Sequence, residues 1–133
     1  MAKKKGFNEY KIVGKILYIY IVNKKGRLFE AITDSNELDR LLELNYRWYV
    51  KEQDNDTFYA YCTIYEKRTN GKKKCFTYAL HQFIMGIPYN NKFAIVDHIN
   101  NNRLDNRKKN LRLTNDLYNT KNRGRINNNN TIS

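Results

Sequence analysis

Asp97 and His98 stand side by side at the end of a short apolar run, and a loop rich in Asn and Asp follows at 100–106. The segment Asn-Leu-Arg-Leu comes next, at 110–113. Carboxylate and carboxamide oxygens are ligands that hard divalent cations prefer, and an imidazole can serve as a general base. Hydrolysis of a phosphodiester uses both kinds of group. These residue types make 97–113 a candidate catalytic segment, although an Asp-His pair taken alone also fits a structural turn in which Asp caps a loop.

The apolar residues around this pair predict two short antiparallel strands, at 93–99 and at 111–114, joined by the polar loop. Thr114 is a candidate N-cap for a helix that runs from Asn115 to about Arg123. We therefore expect a strand, a loop, a second strand and a helix, with a metal site between the hairpin and the helix.

Two asparagines of the predicted helix, Asn119 and Asn122, are three residues apart and therefore share one face. If the helix packs against the hairpin, this face lies over Asp97 and His98. Because the phase of the helix is only inferred, either asparagine can be the one that closes the metal site.

The order Asp97-His98, Asn110, Asn119 resembles the motif of HNH endonucleases. More narrowly, it is similar to phage and intron-encoded homing endonucleases whose third motif position is Asn. The resemblance covers about 80–123 and includes the flanking residue types at 80–82 and 85–86. It implies a ββα-metal fold and a metal-dependent DNA endonuclease. With one site per chain, a monomer is expected to nick one strand, and cleavage of both strands would need two chains or two visits.

The resemblance also implies a role for several side chains. His98 would be the general base that deprotonates the attacking water, and Asn110 would brace the loop and orient the His98 ring. Arg112 would contact a phosphate. His81 precedes the motif without an evident partner, so we expect it to be structural or to contact a phosphate.

The metal site implied by the resemblance holds one divalent ion between Asp97 and Asn119, with Asn122 as the alternative ligand. The ion is expected to be Mg²⁺, or Mn²⁺, because the ligands are hard oxygens and water can fill the other positions. No small-molecule cofactor is expected.

The chain upstream of the motif is predicted to be rich in antiparallel strands, with short helices. A three-stranded sheet is expected over 46–80, and it is weakly similar to the AP2-like DNA-binding fold, whereas 1–45 resembles no family. Asp34 is the expected N-cap of the first helix. The predicted elements are strands at 12–22, 27–33, 46–51, 57–65 and 72–79 and helices at 35–45 and 78–85.

The chain carries 25 Lys and Arg against 13 Asp and Glu, a formal net charge of +12. Such an excess predicts a polyanionic partner, and double-stranded DNA is the expected one. No apolar run approaches the roughly 18 residues of a membrane-spanning helix, so no membrane partner is expected. The Tyr-rich face of the predicted sheet fits core packing and nucleic-acid contact equally well. The candidate DNA contacts are Arg68, Lys72, Lys73, Lys74, Arg112, Lys121 and Arg123.

We therefore predict an α+β protein with a β-rich, DNA-binding part at 1–90, a ββα-metal nuclease motif at 91–125 and a disordered, Asn-rich tail at 126–133. The predicted function is a metal-dependent, homing-type DNA endonuclease, a monomer or weak dimer in the cytoplasm of a bacterial or phage-infected host cell. The alternatives are a non-catalytic, sequence-specific DNA-binding protein that retains the fold, and an RNA-binding protein that stacks bases on its tyrosines.

Overall fold

A computed structural model of the chain describes residues 6–67, 70–91 and 94–115. Within these residues the chain forms three antiparallel sheets with two short α-helices between them. The strands are β1 (Tyr10–Val13), β2 (Ile16–Val22), β3 (Leu28–Asp34), β4 (Tyr49–Asp54), β5 (Thr57–Lys67), β6 (Lys73–Ala79), β7 (Ala94–His98) and β8 (Leu111–Asn115), and the helices are α1 (Leu38–Leu44) and α2 (Leu80–Ile84). The expected α+β class with antiparallel sheets is confirmed.

The first sheet has the order β1-β2-β3 and corrects the prediction of one unbroken strand at 12–22. The chain turns at Gly14, whose φ of +59° lies in the left-handed region that favours glycine. β1 therefore folds back on β2, with Tyr10 opposite Ile19. The outer edge of β3, which pairs with no other named strand, lies on the other side of the sheet.

α1 begins at Leu38, after a 3₁₀ turn at Ser35–Glu37 where the sequence predicts the first turn of the helix. It ends as predicted, with Asn45 in the left-handed conformation typical of a helix C-terminus. Asp34 occupies the N-cap position of this 3₁₀ turn, but its side chain does not make the capping hydrogen bond that the sequence predicts. Its Oδ2 instead accepts a hydrogen bond of 2.9 Å from the backbone N of Lys108. The Asp34 carboxylate, which the local sequence predicts to cap the helix, therefore bonds to a residue 74 positions away.

The second sheet is the expected three-stranded one, with the order β4-β5-β6. Alternation along β5 buries Ala60, Cys62 and Ile64, while Tyr59 and Tyr61 lie on the opposite face. The tyrosines therefore face away from the core.

The third sheet is the predicted β7-β8 hairpin, in which Asp97 is opposite Arg112. Thr114 belongs to β8, and its hydroxyl donates to the Ile95 carbonyl at 3.2 Å. The expected helix therefore does not begin at Asn115, which is also part of β8. The rest of that predicted helix and the predicted tail lie outside the described residues. No helix in the described part is long and apolar enough to cross a membrane.

One hydrophobic core joins the strands upstream of residue 90 to the hairpin downstream of it. Leu111 of β8 is 6% exposed and belongs to the same buried cluster as Leu17 of β2 and Trp48. The division into parts at 1–90 and 91–125 stays a prediction. The two predicted parts would share this hydrophobic core.

We expect Leu111→Ala to destabilise the whole described fold by about 2–5 kcal/mol, because it leaves a cavity in the shared core. The matched control is Leu113→Ala in the same strand, where the side chain is 53% exposed and the change should stay within about 0.5 kcal/mol. Urea unfolding followed by Trp48 fluorescence, which reports on the upstream part, measures both. A Leu111→Ala variant with an unchanged Trp48 transition would show that the hairpin folds independently.

Candidate active site

A cleft of about 220 Å³ opens where the end of β7 meets the loop at 99–110 and the outer face of β5. His98 is 6% exposed at its wall, whereas the Asp97 side chain is 50% exposed. Tyr59, Arg103 and Arg112 complete the polar lining. The structure thus brings three of the predicted site residues, Asp97, His98 and Arg112, to one cleft.

Asn110 closes the loop that connects β7 to β8. Its side-chain Oδ1 accepts from the backbone N of Asn100 at 3.0 Å, and its Nδ2 donates to the carbonyl of Asp105 at 2.8 Å. The loop is tied further by the backbone hydrogen bond from Ile99 to Asn110, at 2.8 Å. These contacts explain why an asparagine stands at the base of this loop.

The side chain that holds the His98 ring is Asn106, a residue that the sequence prediction did not single out. Asn106 Oδ1 lies 2.9 Å from His98 Nε2, and Asn106 is fully buried. With this oxygen as the acceptor, Nε2 carries the ring proton and Nδ1 is the basic nitrogen. The ring contact expected of Asn110 is therefore made by Asn106, while Asn110 bonds the loop.

Two upstream rings enclose His98. The His81 ring centroid is 5.0 Å from that of His98, and the Tyr59 centroid is 6.1 Å away. Burial lowers the pKa of His98, with the Asn106 hydrogen bond opposing this shift and Arg103 adding to it. Burial, and then the neighbouring His98, lowers the pKa of His81 to about 3. Both rings are therefore neutral near pH 7, the state in which a histidine accepts a proton.

Arg103 lines the cleft together with the predicted Arg112, and the sequence analysis did not single it out. Its Nε donates to the Tyr59 hydroxyl at 2.9 Å, and one terminal nitrogen donates to Asn101 Oδ1 at 3.2 Å. The other arginine of the cleft, Arg112, has a terminal nitrogen 3.5 Å from Asp97 Oδ2 in a largely exposed ion pair. Two arginines thus line the cleft, and guanidinium groups are suited to binding phosphate or carboxylate.

Asp97 is the predicted metal ligand that lies within the described residues, and Asn119 and Asn122 lie outside them. The described residues contain no group of three His, Cys, Asp or Glu side chains that could hold a metal ion. A half-exposed carboxylate at a cleft mouth nevertheless fits a hydrated Mg²⁺, which takes one or two protein carboxylates and keeps several waters.

The predicted DNA contacts fall into two groups. Lys72, Lys73 and Lys74 are exposed at the turn between β5 and β6, while Arg68, Lys121 and Arg123 lie outside the described residues. The outer face of the second sheet carries a row of tyrosines that reaches the cleft. In this row the centroid of Tyr61 is 6.4 Å from Tyr49 and 6.2 Å from Tyr59.

The lowered pKa of His81 predicts a loss of stability in mild acid. Below pH 6.5 the unfolded chain takes up a proton at residue 81 that the folded chain, with a pKa of about 3, does not. Between pH 7 and pH 5 this costs up to about 2 kcal/mol. We therefore expect His81→Gln to lose less stability than wild type over this interval. Urea unfolding at pH 7, 6 and 5 measures the difference, and parallel pH dependences would refute the buried, neutral state of His81.

Comparison with known proteins bears on the segment that forms this site. Residues 85–121 match the family model described as HNH endonuclease. Searches of curated proteins and of solved structures found no match. The AP2-like resemblance of the second sheet therefore stays a prediction. The matched segment contains Asp97, His98, Asn106 and Asn110, so this part of the chain is similar to the HNH endonuclease family.

Proposed function

We propose that this protein is a metal-dependent, homing-type endonuclease that nicks duplex DNA with His98 as its general base. The observation that carries the proposal is the buried His98 ring, held through Nε2 by Asn106 at 2.9 Å beside a cleft with two arginines. A fixed, neutral imidazole next to a cationic cleft is suited to activating water against a phosphodiester.

In the proposed reaction the scissile phosphate lies between Arg103 and Arg112. His98 Nδ1 takes a proton from water, the water oxygen bonds to phosphorus, and the bond from phosphorus to the 3′ oxygen breaks. The products are a 5′-phosphate and a 3′-hydroxyl, the latter protonated from solvent. The exposed Arg112–Asp97 pair is weak enough to be exchanged for contacts with a phosphate.

A divalent ion held by Asp97 together with Asn119 or Asn122 would neutralise charge on the scissile phosphate and on the departing oxygen. Mg²⁺ or Mn²⁺ suits these ligands. The attacking water would not have to be bound to the ion, because Nδ1 of His98 accepts the proton of that water.

Duplex DNA is the proposed substrate because the net charge of +12 favours a polyanion and exposed lysines stand at the β5–β6 turn. The tyrosine row on the outer face of the second sheet leads from that sheet to the cleft. One site per chain suits a monomer or weak dimer that cuts one strand at a time. We place this activity in the cytoplasm of a bacterial or phage-infected cell.

The test is conversion of supercoiled plasmid to open circles in Mg²⁺ by wild type and by His98→Ala. Loss of the base should slow nicking about 10²–10⁴-fold, while a gel-shift measurement shows that His98→Ala still binds duplex DNA. Equal rates for the two proteins, or no nicking by wild type, would favour the non-catalytic DNA-binding alternative. Stronger competition by single-stranded RNA than by duplex DNA would favour the RNA-binding alternative.

The same assay decides which helix asparagine serves the metal. Titration of Mg²⁺ against Asn119→Ala and Asn122→Ala compares the ion concentration that each variant needs for half-maximal nicking. The ligand is the residue whose loss raises this concentration.

Arg103→Ala should lower kcat/KM for nicking by roughly 10- to 150-fold, because a hydrogen bond to a charged group contributes about 1.5–3 kcal/mol. Arg103→Lys should recover part of the loss, since it keeps the charge without the forked geometry. The matched control is Arg47→Ala, an exposed arginine that lines a different groove. Equal effects of Arg103→Ala and Arg47→Ala would mean that Arg103 contributes only general charge.

A further inference from the structure

The edge of β3 is occupied by the loop that carries Asn106. The backbone N of Ile32 donates to the Leu104 carbonyl at 2.8 Å, and the backbone N of Asn106 donates to the Ile32 carbonyl at 2.7 Å. These bonds form a parallel bridge between Ile32 and Asp105. The first sheet, from a part of the chain upstream of the HNH match, is thereby extended by the loop of the candidate active site.

Thr33 reinforces this junction from inside the core. It is fully buried, and its hydroxyl donates to the Asn106 carbonyl at 2.7 Å. With the Ile32 contact, both backbone polar groups of Asn106 are therefore bonded to β3. The next residue of the strand, Asp34, accepts from the backbone N of Lys108.

Among the described residues, the Asn106 side chain makes one hydrogen bond. Its Oδ1 bonds to His98 Nε2, and its buried Nδ2 has no hydrogen-bond partner among the described residues. The direction in which the amide oxygen points therefore depends on where β3 holds the Asn106 backbone. A shift of this backbone would move the acceptor away from the imidazole.

We infer that Thr33 is a positioning residue for the general base: by holding Asn106, it keeps His98 with the proton on Nε2 and with Nδ1 free to accept one. This inference rests on the proposed function of His98. It gives the first sheet a role in the reaction, since three successive residues at its edge set the geometry of the loop.

The test compares Thr33→Val, which removes the hydroxyl at similar volume, with Thr33→Ser, which keeps it. Ring ¹⁵N NMR at pH 8 without DNA or metal reports which nitrogen of His98 is protonated. The chain has two histidines, and the His98 signals are those missing from His98→Ala. We expect wild type and Thr33→Ser to hold the Nε2-protonated form and Thr33→Val to populate the Nδ1-protonated form as well.

In the plasmid assay we expect Thr33→Val to lower kcat about 10- to 100-fold, the usual effect of losing a partner that orients a ligand or base, with KM unchanged. Thr33→Ser should keep most of the wild-type kcat. Ile21→Val is the control for lost stability, because Ile21 is buried in β2 of the same sheet. It should change neither the His98 protonation pattern nor kcat.

A folded Thr33→Val protein with the wild-type His98 pattern would overturn the inference. So would a Thr33→Ser protein that behaves like Thr33→Val, or an Ile21→Val protein that shows the same change. If Thr33→Val does not fold, Thr33→Cys takes its place, because a thiol is a weak donor. If wild type does not nick plasmid, the proposed function fails, while the NMR comparison still decides whether Thr33 holds the ring.

Discussion

The hydrogen bond between Asn106 and His98 joins two buried side chains, and the candidate site depends on it. A buried polar group that loses its partner costs about 1–3 kcal/mol, because no solvent replaces the lost bond. Such a bond therefore requires both backbones to be fixed. The β7–β8 pairing fixes the backbone of His98, and β3 fixes that of Asn106.

The second sheet contributes in a different way, by supplying one wall of the cleft. Burial of Ala60 and Cys62 on one face of β5 turns Tyr59 to the other face, towards His98. There the tyrosine hydroxyl accepts from Arg103 and limits where its guanidinium can lie. An element outside the HNH match thus positions a charge inside it. The loop at 99–110 is shaped by the first sheet on one side and by the second on the other.

Local pattern predicted the elements of this fold better than it predicted the contacts between them. The alternation in β5 and the apolar runs of β7 and β8 indicated the right strands, because each depends on its own residues. The pattern did not predict the turn at Gly14, because apolar residues continue on both sides of it and indicate one unbroken strand. Asn106 could not be singled out because it is one of five asparagines between residues 100 and 110. Its distinction comes from Thr33, 73 positions away.

The parallel bridge between Ile32 and Asp105 also bears on how such a protein can be recombined. A segment that carries the HNH match alone, grafted onto a different protein, would bring Asp97, His98 and Asn106 but not the strand edge that pairs with their loop. The recipient would have to offer an exposed strand with a buried hydroxyl at the matching position. In this protein the structural unit that holds the loop is therefore larger than the matched segment by one β-strand.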